Sequence, residues 1–290
     1  MIQDIYFEIK KSFGRKKHLV LISGFLFLCV MIEIVFFKTR ETMLHDVERM
    51  LRQNLMMSLL VPNPLKLADG LMFARVVSYP LFWVVMPIFS FTIAGELFAG
   101  EVHDGTIKAY LSRGFSRVKL VFAKFSMLLL TNLFYAVVFS LAAWLIGMVM
   151  FGHSDLQVTL FQAGEISEPE LIECDVMLWY YFRASVYYAL AITAVSMFPF
   201  LLSSMMNKAL AASAGGMLFY FISLIMAHLP FAMDTDVIAP FLETRMMETY
   251  IQFYSEFIEW SKVGESAAMM LLYMAFGVMV PIIAMHVKEY

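Results

Sequence analysis

Residues 95–124 read GELFAGEVHDGTIKAYLSRGFSRVKLVFAK, a charged stretch between two long apolar runs. Asp104 or Thr106 can open a short helix by accepting from free backbone N–H groups. Ile107, Tyr110 and Leu111 then share one face, and Gly114 is a natural helix stop. Ser116 can cap the helix that follows and leads into the next apolar run. The pattern predicts a short helix lying across the membrane surface between two spans. Its exposed side would offer apolar groups and Lys108 to a groove on another protein. The plainer reading is a polar loop, against which stand the length of the stretch and its two stop signals. Glu96 is expected either to brace the connector through Lys124 or Arg117, or to remain a solvated carboxylate at a helix end.

The flanking runs set the class. The chain is 61% hydrophobic and 16% charged, where soluble domains have roughly 45–50% apolar and about 25% charged residues. A bilayer-crossing helix needs about 20 mostly apolar residues. Six such spans are expected near 19–37, 76–99, 120–150, 178–204, 209–229 and 266–287. The first follows Lys10, Lys11, Arg15, Lys16 and Lys17 and is too long for the core of a cleaved signal peptide, so it reads as a retained span. Ahead of it, Ile2, Ile5, Tyr6, Ile9 and Phe13 recur at helical spacing, which predicts an interfacial helix within residues 1–17. Pro80, Pro87 and Pro199 fall inside spans, where neighbouring groups must satisfy the freed carbonyls. Residues 209–216 are small, and Ala212 with Gly216 permits close helix contact.

An even number of spans puts both termini on one side. The basic N-terminal cluster, Lys108, Arg113, Arg117, Lys119, Lys124, Lys208 and Lys288 share that side, which the positive-inside rule makes cytoplasmic. The acidic segment 151–177, read as a loop, has no Lys or Arg and fits the opposite face. Residues 38–75, which carry Lys38, Arg40, Arg49, Arg52, Lys66 and Arg75, weigh the other way. Residues 40–60 read as an amphipathic helix. Residues 230–265 read as an extracellular segment before the last span that dips into or lies on the outer leaflet. No internal repeat and no separate soluble domain is evident, so residues 1–290 read as a single transmembrane domain.

The formal net charge of -3 gives no electrostatic support for nucleic-acid binding. Cys29 and Cys174 make no disulfide framework or metal motif. His18, His45, His103, His153, His228 and His286 have no partner at metal-ligand spacing, so no metal site is expected. No catalytic constellation is present either. Ser90, Thr92, Ser126, Thr131 and Asn132 lie in or near spans, where they more often bond to a neighbouring helix. Glu33 and Arg183 lie at similar depth in two spans. Two readings stand: an intramembrane polar pair, or separate residues reaching water. The 25 methionines and 28 phenylalanines suit either lipid contact or an apolar cargo.

At Glu101, Gly105-Thr106, Leu111 and Ser116-Arg117, with Lys124 entering the next span, the sequence resembles the ABC-2 family of transporter permeases. Gly114 stands where that family often has proline. The wider layout agrees: interfacial helix, six spans, both ends on one side, and a sizeable segment before the last span. The resemblance implies an all-α polytopic membrane protein of the type V exporter-like permease fold. It implies that residues 100–118 form a cytoplasmic coupling-helix loop, with Glu101, Asp104, Gly105, Thr106, Ile107, Tyr110, Leu111, Ser116 and Arg117 coupling it to the ATPase subunit. The implied partners are two copies of an ATP-binding subunit and a second permease, identical or homologous, surrounded by membrane lipids. ATP and Mg would bind on the ATPase subunit, and no GxxxxGK[ST] phosphate loop occurs in this sequence. The implied setting is a bacterial plasma membrane, and the implied task is export of a hydrophobic or amphipathic cargo such as a peptide, drug or lipid-like molecule. This chain would not be an enzyme by itself. A secondary carrier or channel would work without an ATPase, but a carrier calls for coupling-ion sites near the bilayer midplane, where carboxylates are sparse. A permease-like immunity or sensing subunit is the third reading.

Overall fold

Asp69 opens the first long helix of the computed structural model, which describes residues 22–32, 34–35, 38, 69–107, 112, 116–159, 170–227, 243–254 and 258–287. An apolar helix, α1 (Ile22–Ile32), precedes it. The Asp69 carboxylate accepts from Leu71 N at 3.1 Å and Met72 N at 3.0 Å. It thereby satisfies two of the donors that any helix start leaves free. Helix α2 (Gly70–Pro80) then passes through a π-helical turn (Leu81–Val85) into α3 (Met86–His103).

Two prolines and the wide turn disturb the backbone ladder at this point, and other helices repair it. Met86 N–H bonds to Leu81 O, so Phe82 O loses its α-helical donor. The Tyr188 hydroxyl donates to Phe82 O instead. Trp83 O faces Pro87, which has no N–H, and the Tyr220 hydroxyl donates to it at 2.8 Å. Two tyrosines from two later helices thus satisfy carbonyls that have no water to turn to within a bilayer.

Helix α4 (Arg117–Phe151) runs 35 residues, about 50 Å at 1.5 Å per residue. It exceeds the hydrocarbon thickness of about 30 Å. A two-stranded antiparallel ladder follows, β1 (Leu156–Thr159) with β2 (Glu170–Glu173), pairing Leu156 with Glu173. This corrects the loop reading of 151–177. The alternating Leu156-Gln157-Val158-Thr159 has strand character that the surrounding acids obscured. Helix α5 (Cys174–Val195) stops at Ser196 and resumes as α6 (Met197–Met205). The break falls where Pro199 becomes the third residue of a new helix, a position whose N–H has no intrahelical acceptor. Next come α7 (Ala209–Ala227), α8 (Glu243–Glu248), a 3-10 turn (Thr249–Tyr254) and α9 (Trp260–Val287).

Among the described residues, five helical runs are long and apolar enough to cross a membrane: Gly70–His103, Arg117–Phe151, Cys174–Met205, Ala209–Ala227 and Trp260–Val287. The protein is a helical multi-pass membrane protein. The five runs correspond to the last five expected spans, and α1 lies within the first. The expected helix in 1–17, the amphipathic segment 40–60, and parts of 230–265 lie outside the described residues.

Small residues set the closest approaches. A Cβ on Gly70 would lie 2.4 Å from Met148 N, and one on Gly147 would lie 2.3 Å from Gly70 O, so α2 and α4 touch backbone to backbone. A Cβ on Gly95 would lie 2.1 Å from Ser213 Oγ, and one on Gly216 would lie 2.6 Å from Pro199 Cβ. Helix α7 therefore seats its small face on α3 and α6. The interior between these contacts is aromatic. Phe82 stacks on Tyr188 at 4.0 Å, with Tyr250 edge-on to both. Tyr250 and Tyr254 come from the 3-10 turn before α9, and both are buried. Burial pushes both hydroxyls up from the ordinary tyrosine range, so they stay neutral. A polar seam crosses the same interior. Asn132 accepts from Ser90 at 2.8 Å and donates to Thr193 Oγ1 at 3.0 Å.

Candidate functional site

The connector begins where α3 ends. Asp104 N bonds to Gly100 O at 3.0 Å and Gly105 N to Val102 O at 3.2 Å. Gly105 takes φ +68, the left-handed conformation that a residue without a Cβ adopts freely. Asp104 is therefore the C-cap of α3, Gly105 stops that helix, and helical backbone resumes at 106–107. Thr106 does not serve as the expected acceptor cap: its hydroxyl donates back to Glu101 O at 3.3 Å. Within that helical stretch Ile107 is buried in the core. Tyr110 and Leu111 lie outside the described residues.

Glu101 is the centre of this corner. It sits on the buried side of the last turn of α3, and its carboxylate meets Lys124 Nζ at 2.7 Å, with side-chain exposures of 6% and 0%. Lys124 lies in the third turn of α4, and its ammonium sits 5.4 Å from the centre of the Phe98 ring. Desolvating two charges is expensive, and mutual attraction repays it only when the geometry is good. Here the ion pair joins both sides of the connector below its tip. His103, Asp104 and Gly105 form an exposed tip where α3 ends.

On the other flank, Ser116 precedes α4 in an extended conformation, its carbonyl accepting from Leu120 N at 3.1 Å. Its side chain makes no capping bond, contrary to the cap expected from sequence. Arg117 Nη1 donates to Met285 O near the end of α9. Glu101, Thr106, Ile107 and Arg117 thus tie one short corner to α3, α4 and α9 together. Such a corner can carry a displacement at its tip into three helices.

Glu33, the expected partner of Arg183, lies outside the described residues. Arg183 is engaged at the opposite end of the bundle. Its Nε donates to Phe253 O at 2.9 Å, and its guanidinium lies 3.9 Å from the centre of the Tyr180 ring. It pins the 3-10 turn before α9 to α5. Sequence reasoning did not find the Glu101–Lys124 pair, though it had both residues. It also did not find that Asp69, His153 and Cys174 converge, because they stand far apart along the chain.

A comparison with protein families matches residues 26–287 to the family described as "Protein of unknown function (DUF2705)". The chain belongs to that family. A search of curated proteins finds no match.

Proposed function

We propose that this member of the family is the membrane-spanning permease subunit of an ATP-driven ABC transporter of the ABC-2 type. In this reading a separate ATP-binding subunit, present in two copies, docks on the connector between α3 and α4. A second permease, identical or homologous, completes the path, and a hydrophobic or amphipathic cargo leaves along the permease–permease interface. The connector end of the bundle is then cytoplasmic, and the hairpin and the 3-10 turn face outward.

One observation carries the proposal: the buried Glu101–Lys124 pair at 2.7 Å beneath an exposed Asp104-Gly105 tip. A solvated loop has no need of a desolvated ion pair. A lever does, because a push on its tip must reach the helices without being absorbed by bending. Glu101 is also the residue with which the resemblance to ABC-2 permeases begins, and the matched positions Gly105-Thr106 form its turn. The Arg117 bond to Met285 O extends the same linkage to the last helix.

The test is co-expression with a candidate ATP-binding protein, sought among the products of neighbouring genes, followed by co-purification and ATPase assay. Wild-type protein is expected to bring the ATPase down and to couple its hydrolysis to cargo. Asp104→Arg, at the exposed tip, is expected to weaken assembly while leaving the fold intact. Full transport by this chain with no ATPase present would overturn the proposal in favour of a carrier or channel.

A further inference from the structure

At the end of the bundle away from the connector, three separate segments bring together an unlike set of donors. Asp69 precedes α2, His153 lies in the turn after α4, and Cys174 is the first residue of α5. Their ligand-type atoms all lie within 4.8 Å of one another, with Asp69 and Cys174 buried and His153 exposed. We propose that these residues form a binding site for a borderline-soft divalent ion of the zinc class, which staples the ends of α2, α4 and α5.

The donor set selects the ion. Thiolate, imidazole and carboxylate together suit zinc, whereas magnesium and calcium prefer all-oxygen shells. Thiolate and carboxylate also neutralise the charge of a dication. Cys174 Sγ and His153 Nδ1 are 3.7 Å apart. Tetrahedral zinc with nitrogen and sulfur at its usual bond lengths separates those atoms by roughly 3.5 Å. The remaining spacings in the cluster also lie within 4.8 Å.

The surroundings already hold the ligands in place. Asp69 Oδ1 accepts from Leu71 N and Met72 N, and Oδ2 accepts from Ser154 N at 3.2 Å. Hydrogen bonds of this kind orient metal-binding carboxylates. Gly70 N bonds to Gly152 O and Cys174 N to Asp155 O, both at 3.0 Å, which fixes the three segments relative to one another. Asp155, Glu173 and Asp175 stand exposed around the site and favour a cation. With three protein ligands, a fourth position is left for water.

The test uses the full chain, purified in detergent and stripped of metal, titrated with Co(II) as a spectroscopic stand-in for zinc. The expected result is one equivalent bound, with a thiolate-to-cobalt charge-transfer band and the strong visible bands of a four-coordinate ion, displaced by zinc. Cys29→Ser should leave the spectrum unchanged, and Cys174→Ser should abolish the charge-transfer band. His153→Ala should weaken binding at least tenfold. Because His153 is exposed, that variant also supplies the folding control: zinc should raise the melting temperature of wild-type protein and not that of His153→Ala. No charge-transfer band in wild type, a band that survives Cys174→Ser, or an equal zinc-induced shift in His153→Ala would each overturn the site. The experiment needs no ATPase, so its failure leaves the transport reading standing, and the reverse holds too.

Discussion

Glu101 and Lys124 show how one pair of side chains decides whether a connector is a loop or a lever. Removing one partner strands the other charge in a dry site, at a cost of about 3–5 kcal/mol. Glu101→Gln and Lys124→Met are each expected to lower thermal stability by that order. The double variant should lose much less than their sum, as a double-mutant cycle on the purified protein would show. Additive losses would mean that the two charges do not act on each other. Arg183→Lys keeps the charge but loses the flat guanidinium that stacks on Tyr180 and reaches Phe253 O. A loss of about 1–2 kcal/mol is expected, and loosening of the 3-10 turn should speed proteolysis within 243–254. The acid that pairs with Lys124 was not readable from sequence. Glu96 and Glu101 are five residues apart, about 140° around a helix. Choosing between them requires knowing which side of α3 meets α4, and an all-apolar span carries no such mark.

The helices themselves were legible because each spanning run is long and apolar, and a single continuous segment hides its backbone in lipid only as a helix. Their irregularities were legible only in part. Pro80, Pro87 and Pro199 mark the places where donors are missing. Where the spare carbonyls find new donors depends on Tyr188 and Tyr220, more than a hundred residues away. Tyr220→Phe deletes one such donor and should cost about 1 kcal/mol, seen as a lower melting temperature with no change in helix content. The small-residue stripe of α7 was legible as a close-contact face; its seats on Gly95 and Pro199 were not. Gly70→Ala places a methyl against the backbone of Gly147 and Met148, which cannot swing aside. It should destabilise by about 1–3 kcal/mol or more, whereas Gly264→Ala, with open space around it, should be close to neutral. Equal melting temperatures for the two variants would contradict the backbone-to-backbone contact. At the connector, Gly114, expected to stop the short helix, lies outside the described residues, while the left-handed turn that ends α3 falls at Gly105. A glycine two residues past the last turn of α3 was the available signal.

The whole molecule has two unlike ends. The connector end gathers Glu101, Lys124 and Arg117 into a braced corner with an exposed tip. The opposite end gathers Asp69, His153, Cys174 and the Arg183-pinned turn. Between them the outward faces of α4, α7 and α9 carry exposed Leu145, Leu210, Leu218, Leu271 and Ile283, apolar surface that lipid or a second permease would cover. Sequence made the spans visible through apolar runs, but which residues of each end touch was set by packing between distant segments. The most direct measurement is site-specific photocrosslinking in native membranes, with the photoreactive residue placed at Asp104 on the tip or at Val149 near the far end of α4, where it is 83% exposed. The expected result is a crosslink from position 104, and none from 149, to a nucleotide-binding ATPase. Crosslinks to no such protein from 104, together with labelling of a cysteine at 104 by an impermeant reagent added outside the cell, would contradict the account.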